Sequence, residues 1–464
     1  MHTLRQVLLG VLLLPAAGMA QDRDLVVTGG WLFAATTSER IQNPGILIRG
    51  GKILRVGGDL SVAASDAEQV TLSGAETLIP GMFDLHAHYA IDLYGGGRID
   101  DATVYPALFL ANGVTSTFPA GEMQPDAMRA LRLRIENGVQ PGPRIYNTGP
   151  YYGTARPNWP REMTREQLFA EVDHWIEQGA RGFKAKGIAP QHLRWLIERA
   201  HFHGVTVTGH LESGFRNSVN PRDAILMGLD RIEHFLGGDA ITGDRGAYAS
   251  LERLDVSTPE FTRIAELFIA HRTNYDATLS AYGYYGTRDP EVFTYFTDEK
   301  RFLTPYMRSV IDARAPRNVN QQFEAIYWVK RKEIKAFYDA GGADLITLGT
   351  DHPSWGEFFS PFSVHRELHS FVLSGLPPAA ALRIATINGA RALGVGDRLG
   401  TIEVGKWADM VVLRANPLAD IRTTRDPRVV IRAGRVYDPA ALLKSVEGKL
   451  GPGSVEEAVR WGSR

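Results

Sequence analysis

The sequence contains no cysteine, which removes disulfides, thiolate metal sites, a thiol nucleophile and the lipid-bearing cysteine of a lipoprotein in one step. It also lacks any run of lysine or arginine, and its formal net charge is −1. Nothing therefore builds the electrostatic footprint that nucleic acid or an anionic membrane surface requires, and a small-molecule substrate is the expected partner. Long apolar runs are missing too, except at the start, where Arg5 precedes Val7 to Leu14, Pro15 and the small-residue stretch Ala16-Ala17-Gly18-Met19-Ala20. That run is well short of the roughly 20 apolar residues a membrane span needs. It reads as a secretory signal over residues 1–20, cleaved near Ala20. The expectation is a periplasmic or secreted protein without stable membrane insertion, compatible with a homo-oligomer. Hydrophobic residues make up 44% and charged residues 22%, which is ordinary for a globular enzyme and excludes disorder or a fibrous repeat.

What is present is a change of character along the chain. Near the start, Leu25-Val-Val-Thr-Gly-Gly30 and Gly45 to Gly57 are short β-rich runs punctuated by glycine pairs, the pattern of hairpins. Similar runs return at Ala408–Leu413 and Val429–Val436. The simplest account is one small β-sandwich domain built from both chain ends, 21–79 and 394–437, with a tail over 438–464. Between them, over 80–393, strand-like runs alternate with helical patterns: Phe83–His88, Gly113–Phe118, Arg144–Thr148, Gly182–Lys186, Val205–His210, Arg231–His234, Thr273–Leu279 and Leu345–Asp351. Helical patterns such as Arg165–Gln178 and Gln191–His203 separate neighbouring strands, which argues for parallel strands joined by crossovers. Eight such units predict an α/β fold, a closed (β/α)8 TIM barrel. An insert at about 283–342 carries many aromatics, among them Tyr284, Tyr285 and Phe293. It reads equally as packing material and as a substrate wall.

Enzymes of this architecture place their chemistry at the C-terminal ends of the strands. Strand one offers Asp84-Leu-His86-Ala-His88, where a spacing of two turns both imidazoles to one face so that they can grip one ion. Strands five and six end in His210 and His234, and strand eight ends in Asp351, which could equally be a helix cap. Strand four ends in Lys184-Ala-Lys186. A lysine ligates no cation unless CO2 converts its neutral amine into a carbamate, and otherwise it extends along the barrel rim. His201 and His203 precede strand five, at the end the fold reserves for stability. The joint pattern of four histidines, an aspartate and a lysine at separate strand ends suits two divalent ions, zinc first by ligand type.

These residues resemble the amidohydrolase superfamily, in the branch of imidazolonepropionase-like proteins and of metal-dependent dipeptidases and carboxypeptidases acting on Xaa-Pro or Xaa-Arg bonds. The resemblance rests on Leu78-Ile-Pro-Gly-Met-Phe-Asp-Leu-His-Ala-His88, Ala111-Asn-Gly-Val-Thr115, Gly228-Leu-Asp-Arg-Ile-Glu-His234, Gly349-Thr-Asp351, Ala385-Thr-Ile-Asn388 and Gly400-Thr-Ile-Glu-Val-Gly-Lys-Trp-Ala-Asp409. It implies that His86, His88, Lys184, His210, His234 and Asp351 are the metal ligands, with Lys184 carbamylated. Phe183 stands where a branched aliphatic is usual, Lys186 is a rival bridging residue, and His352 is an unusual neighbour for the aspartate.

Such a site implies hydrolysis of an amide C–N bond, in a dipeptide or an N-acyl amino acid, by a hydroxide held between the metals, with Asp351 as general base and then acid. Tyr151 and Tyr152 are candidate oxyanion partners, and Arg216 is a candidate for a substrate carboxylate. Alternative readings are a cyclic-amide hydrolase or deaminase, a lactonase or esterase, and an exported metal-binding protein without catalysis.

Overall fold

The computed structural model describes residues 23–462, apart from 61–65, 92–98, 161, 213–217, 237–246, 296–297 and 354–355. The leader at 1–20 and Arg216 lie outside the described residues.

Eight short strands run parallel around one axis: Met82–Ala87, Val114–Pro119, Arg144–Ile145, Gly182–Lys186, Thr206–His210, Arg231–Glu233, Asn274–Asp276 and Ile346–Thr347. They are called barrel strands 1 to 8 below. Continuous ladders join strands 1 to 3 and strands 4 to 8. The two remaining seams are closed by single backbone bonds. Leu85 N–H donates to Leu348 O at 2.9 Å and Asp351 N–H to His86 O at 3.0 Å, while Arg181 N–H donates to Asn147 O at 2.8 Å. A closed barrel has no open edge, which leaves only the strand ends free to differ.

The sequence sets the helices by ordinary rules. Thr164 caps helix Arg165–Glu177 by accepting from Gln167 N–H at 3.2 Å, and the Gln167 side chain accepts from Thr164 N–H at 2.9 Å, a reciprocal capping box. Pro190 opens helix Pro190–Phe202, whose Leu193, Leu196, Ile197 and Ala200 recur at helical spacing and face the strands. Outward strand residues Phe183, Ala185, Val207, Ile232, Tyr275 and Ile346 belong to the same apolar layer.

Eight strands from both chain ends, including Leu25–Leu32, Glu68–Pro80, Met410–Leu413 and Pro427–Arg432, form one continuous mixed sheet. Alternate residues Leu25, Val27, Val70, Leu78, Met410, Val412 and Ile431 share a single apolar cluster. The stretch after residue 437 forms helices Pro439–Val446 and Val455–Gly462, and Leu450 between them is buried and bonded to Phe302 and Thr304 of the insert. The insert itself is helical, with Leu279–Tyr285, Pro305–Asp312 and Gln321–Phe337 as its longer elements. No helix among the described residues is long and apolar enough to cross a membrane.

The glycine-rich motif ending at Asp409 has a structural meaning. The Asp409 carboxylate accepts from Arg144 Nε at 2.9 Å and Nη2 at 3.2 Å, and from Ala433 N–H at 2.6 Å, so it ties barrel strand 3 to the small sheet. Its side chain is 2% exposed. Asp409→Ala strands the Arg144 guanidinium, and the expected loss is about 3 kcal/mol, read as a lower denaturant midpoint in urea unfolding. An unchanged midpoint removes this role.

Candidate metal centre

The six residues read as ligands fall in one place. Asp351 Oδ1 lies 3.0 Å from His88 Nε2 and 3.2 Å from His86 Nε2, and its Oδ2 lies 3.7 Å from His234 Nε2. The His86 and His234 rings are 5.2 Å apart, and those of His210 and His234 4.3 Å. Lys184 is buried and its amine touches the Glu233 carboxylate, whose Oε2 is also 3.7 Å from His86 Nε2. His86, His234 and Asp351 form one trio, and His210, Glu233 and His234 another, in which one donor atom per residue lies within 4.8 Å of the others. Each trio has the reach of a metal site.

The contacts behind the histidines fix which nitrogen faces inward. His86 Nδ1 lies 2.9 Å from Asp276 Oδ2, and a carboxylate there can only accept, so Nδ1 carries the proton and Nε2 presents a lone pair. The same logic holds for His234. Thr278 Oγ1 donates its one proton to Ala277 O at 2.7 Å, so it accepts from His234 Nδ1 at 2.6 Å. The inward Nε2 of His234 is buried and has no hydrogen-bond partner among the described residues. A buried lone pair facing a carboxylate oxygen is costly unless a proton or a cation lies between them.

Electrostatics favours the cation. Burial, with Lys186, His234 and Lys184 nearby, holds His210 well below its usual value, and burial with His86 and the amines of Lys184 and Lys330 does the same for His234. Burial pushes the Asp351 carboxyl upward, but the surrounding imidazoles prevail and hold it well below the usual range. Burial, with Lys186 nearby, lowers Lys184 strongly, towards the neutral amine that reacts with CO2. The donor set of imidazoles and carboxylates fits divalent ions.

The backbone is bent to make this cluster. His234, Thr278 and Asp351 all adopt positive φ, at 68°, 50° and 48°, a region non-glycine residues rarely enter. Gly349, in the Gly-Thr-Asp motif, is required by closeness alone: a Cβ there would lie 2.4 Å from an Asp276 oxygen and 2.5 Å from His86 Cβ.

Several partners are absent from the sequence reading. Glu233, Asp276, Arg231 and Thr278 all touch or support the cluster. Arg231 donates to Thr208 Oγ1 at 3.0 Å and to Leu85 O at 2.9 Å. Alternation along Arg231-Ile-Glu233 was the available signal, because it sends both charged side chains away from the apolar layer that takes Ile232. Tyr151 pairs in register with Lys184 and packs over Gly121. Tyr152 is not brought to the site, since it is fully buried against Phe183 and Trp159 in the layer outside the barrel. Lys186 stands in register with His210 at the rim. His201 and His203 pair with Asp230 and Asp173, away from the cluster.

A cavity of about 200 Å3 opens beside the cluster, and His210, His234, Asp351 and His352 line it. Tyr282, Tyr285 and Phe323 also line it. The insert thus supplies both cavity wall and packing, since Tyr284 and Phe293 instead join Phe358 in a separate core.

If Thr278 sets the tautomer of His234, then Thr278→Val should weaken zinc binding by about 10- to 100-fold, measured by competition with a chromogenic chelator. Wild-type affinity in this variant contradicts the assignment.

The comparisons with known proteins bear on the fold and the family. Adenine deaminase 3 of Rhizobium meliloti (strain 1021) is 21% identical over 449 residues, covering 95% of this chain and 62% of that protein. The chain therefore spans less than two thirds of the length of this curated relative. Among solved structures, a Xaa-Pro dipeptidase with bound methionine in the active site superposes with a TM-score of 0.66 at 21% identity, covering 89% of this chain and all of the other. Molinate hydrolase gives 0.68 at 18% identity, with 94% and 99% covered. At these identities the likeness speaks for the fold. The family profile described as Amidohydrolase family matches residues 77–437, a span that holds all eight barrel strands and every residue of the cluster, and the chain belongs to that family.

Proposed function

We propose that this protein hydrolyses an amide C–N bond in a dipeptide or an N-acyl amino acid, using two divalent ions. The observation that carries the reading is the buried, partnerless Nε2 of His234 facing the Asp351 carboxylate. His86, His88, His210, His234 and Asp351 would hold the ions, zinc first by ligand type, together with Lys184 as its carbamate. When bound, such ions supply a water of lowered pKa and a Lewis acid for the carbonyl.

The chain's own residues supply the rest. Asp351 borders the cavity and is held ionised, so its carboxylate can take a proton from the attacking water. It then returns that proton to the departing nitrogen, which must be protonated before an amine can leave. Asp276 and Thr278 keep His86 and His234 in the ligating tautomer. The first barrel strand, through Asp84, is tied to Thr350 at 2.8 Å, which orients Asp351 next to it. Export through the leader belongs to the same proposal, since it determines which metals and substrates the protein meets.

A second reading, deamination or opening of a cyclic amide, draws on the adenine deaminases that match most of this chain. It differs in product, since deamination releases ammonia.

The test is chemical rescue. Lys184→Ala is expected to lose at least about 100-fold in kcat/KM on an N-acyl amino acid panel, in line with loss of a metal-binding group, and to recover part of it in added acetate or propionate. Full activity without bicarbonate or carboxylate refutes the carbamate, and a matching result for Lys186→Ala alone moves the role to Lys186.

A further inference from the structure

Beside the candidate metal ligands, the rest of the cavity lining is largely aromatic. It consists of Tyr248, Ala281, Tyr282, Tyr285, Phe323 and Pro353, with no lysine or arginine among the described lining residues. The rings are not scattered. Tyr282 and Phe323 stack at 5.2 Å with an interplanar angle of 20°, and Tyr248 and Tyr285 each lie 5.4 Å from Phe323. Tyr282 also meets the His234 ring at 5.9 Å, so the aromatic wall is continuous with the metal cluster.

Three properties of this wall select a ligand. First, its volume of about 200 Å3 is comparable to the roughly 150 Å3 apolar cavity that accepts benzene. It holds one ring and a few linking atoms. Second, aromatic side chains prefer stacked or edge-to-face contact with another ring, and such pairs add about 0.5–1.5 kcal/mol beyond area burial. Third, Arg317 lies 4.7 Å over the Tyr285 ring but is not among the described lining residues of the cavity. A carboxylate placed against these rings would lose its water without gaining a fixed positive partner among the described lining residues, which disfavours acidic side chains of a substrate.

We infer that this cavity is a specificity pocket for a flat, uncharged ring attached within a few atoms of the bond that is broken. The inference rests on the hydrolytic reading of the adjacent cluster but does not depend on which carbon–nitrogen bond is cut. A benzoyl or phenylacetyl group, the side chain of phenylalanine, and a purine base all present this chemistry.

The experiment uses the full-length, zinc-loaded protein and compares kcat/KM within matched series. N-acetyl-phenylalanine is set against N-acetyl-alanine, N-acetyl-lysine and N-acetyl-glutamate. Phenylacetyl-glycine is set against acetyl-glycine, and adenine is followed by ammonia release. The expected result is a preference of at least tenfold for the ring-bearing member of one series, collapsing towards unity in Phe323→Ala. Phe323→Leu, which keeps an apolar side chain, should fall between the two, and zinc content equal to wild type shows that each variant is folded. Turnover of amides with an aliphatic or charged preference overturns the ring pocket and leaves the amide reading standing. Turnover of adenine alone overturns the amide reading and supports the pocket. Where no substrate turns over, calorimetric binding of phenylacetamide decides: binding that weakens in Phe323→Ala supports the pocket, and no binding to wild type overturns it.

Discussion

The structure is organised around a buried cluster of imidazoles and carboxylates. At the mouth of the barrel, His86 and His88 of strand 1 and His234 of strand 6 converge on the carboxylate of Asp351 beside the Lys184–Glu233 pair. Burial removes the water that would solvate these groups, so each polar atom needs a proton or a cation as its partner. Much else follows from holding this arrangement together. The barrel interior carries Asp84, Lys184, Arg231, Glu233 and Asp276 at 4% exposure or less, where barrels of this type more often stack branched aliphatics. The positive φ angles of His234 and Asp351 are strain that only a tightly packed surround can maintain.

One helix links the two sides of the site. Gln321–Phe337 places Lys330 behind the cluster, where its amine donates to His234 O at 2.5 Å and to the Tyr275 hydroxyl at 2.9 Å, while Glu333 accepts from the same hydroxyl. Lys330 therefore holds the backbone of the strained ligand. From its first turn the same helix sends Phe323 into the cavity. The cavity wall and the brace on His234 thus lie on one helix, at separate positions along it.

Much of this was legible in the sequence, because barrel strands and their terminal ligands obey local rules. Alternating apolar runs located all eight strands to within a few residues, and a spacing of two put His86 and His88 on one face, where both reach Asp351. The supporting residues were harder to see. Asp276 and Thr278 lie on strand 7 and just past it, and they matter through a side-chain contact to a histidine at a distance of 190 residues or of 44. No local pattern encodes such a contact. Tyr152 shows the converse. Its place beside a barrel strand suggested the mouth, but period-two alternation turns it outward with Phe183 and Ala185 into the apolar layer. The aromatic insert read equally as core and as wall, and it is both, since helix Leu279–Tyr285 sends Tyr282 and Tyr285 to the cavity and Tyr284 to a core.

The central claim is that these buried acceptors exist to hold cations. Its most direct test is titration of the chelator-stripped protein with zinc, following heat release and the thermal unfolding midpoint together. The account predicts saturation near two ions per chain and a midpoint that rises by several degrees, because binding to the folded state alone stabilises it by about 2.7 kcal/mol at a hundredfold excess over Kd. A titration without heat, with no change in midpoint, would contradict it.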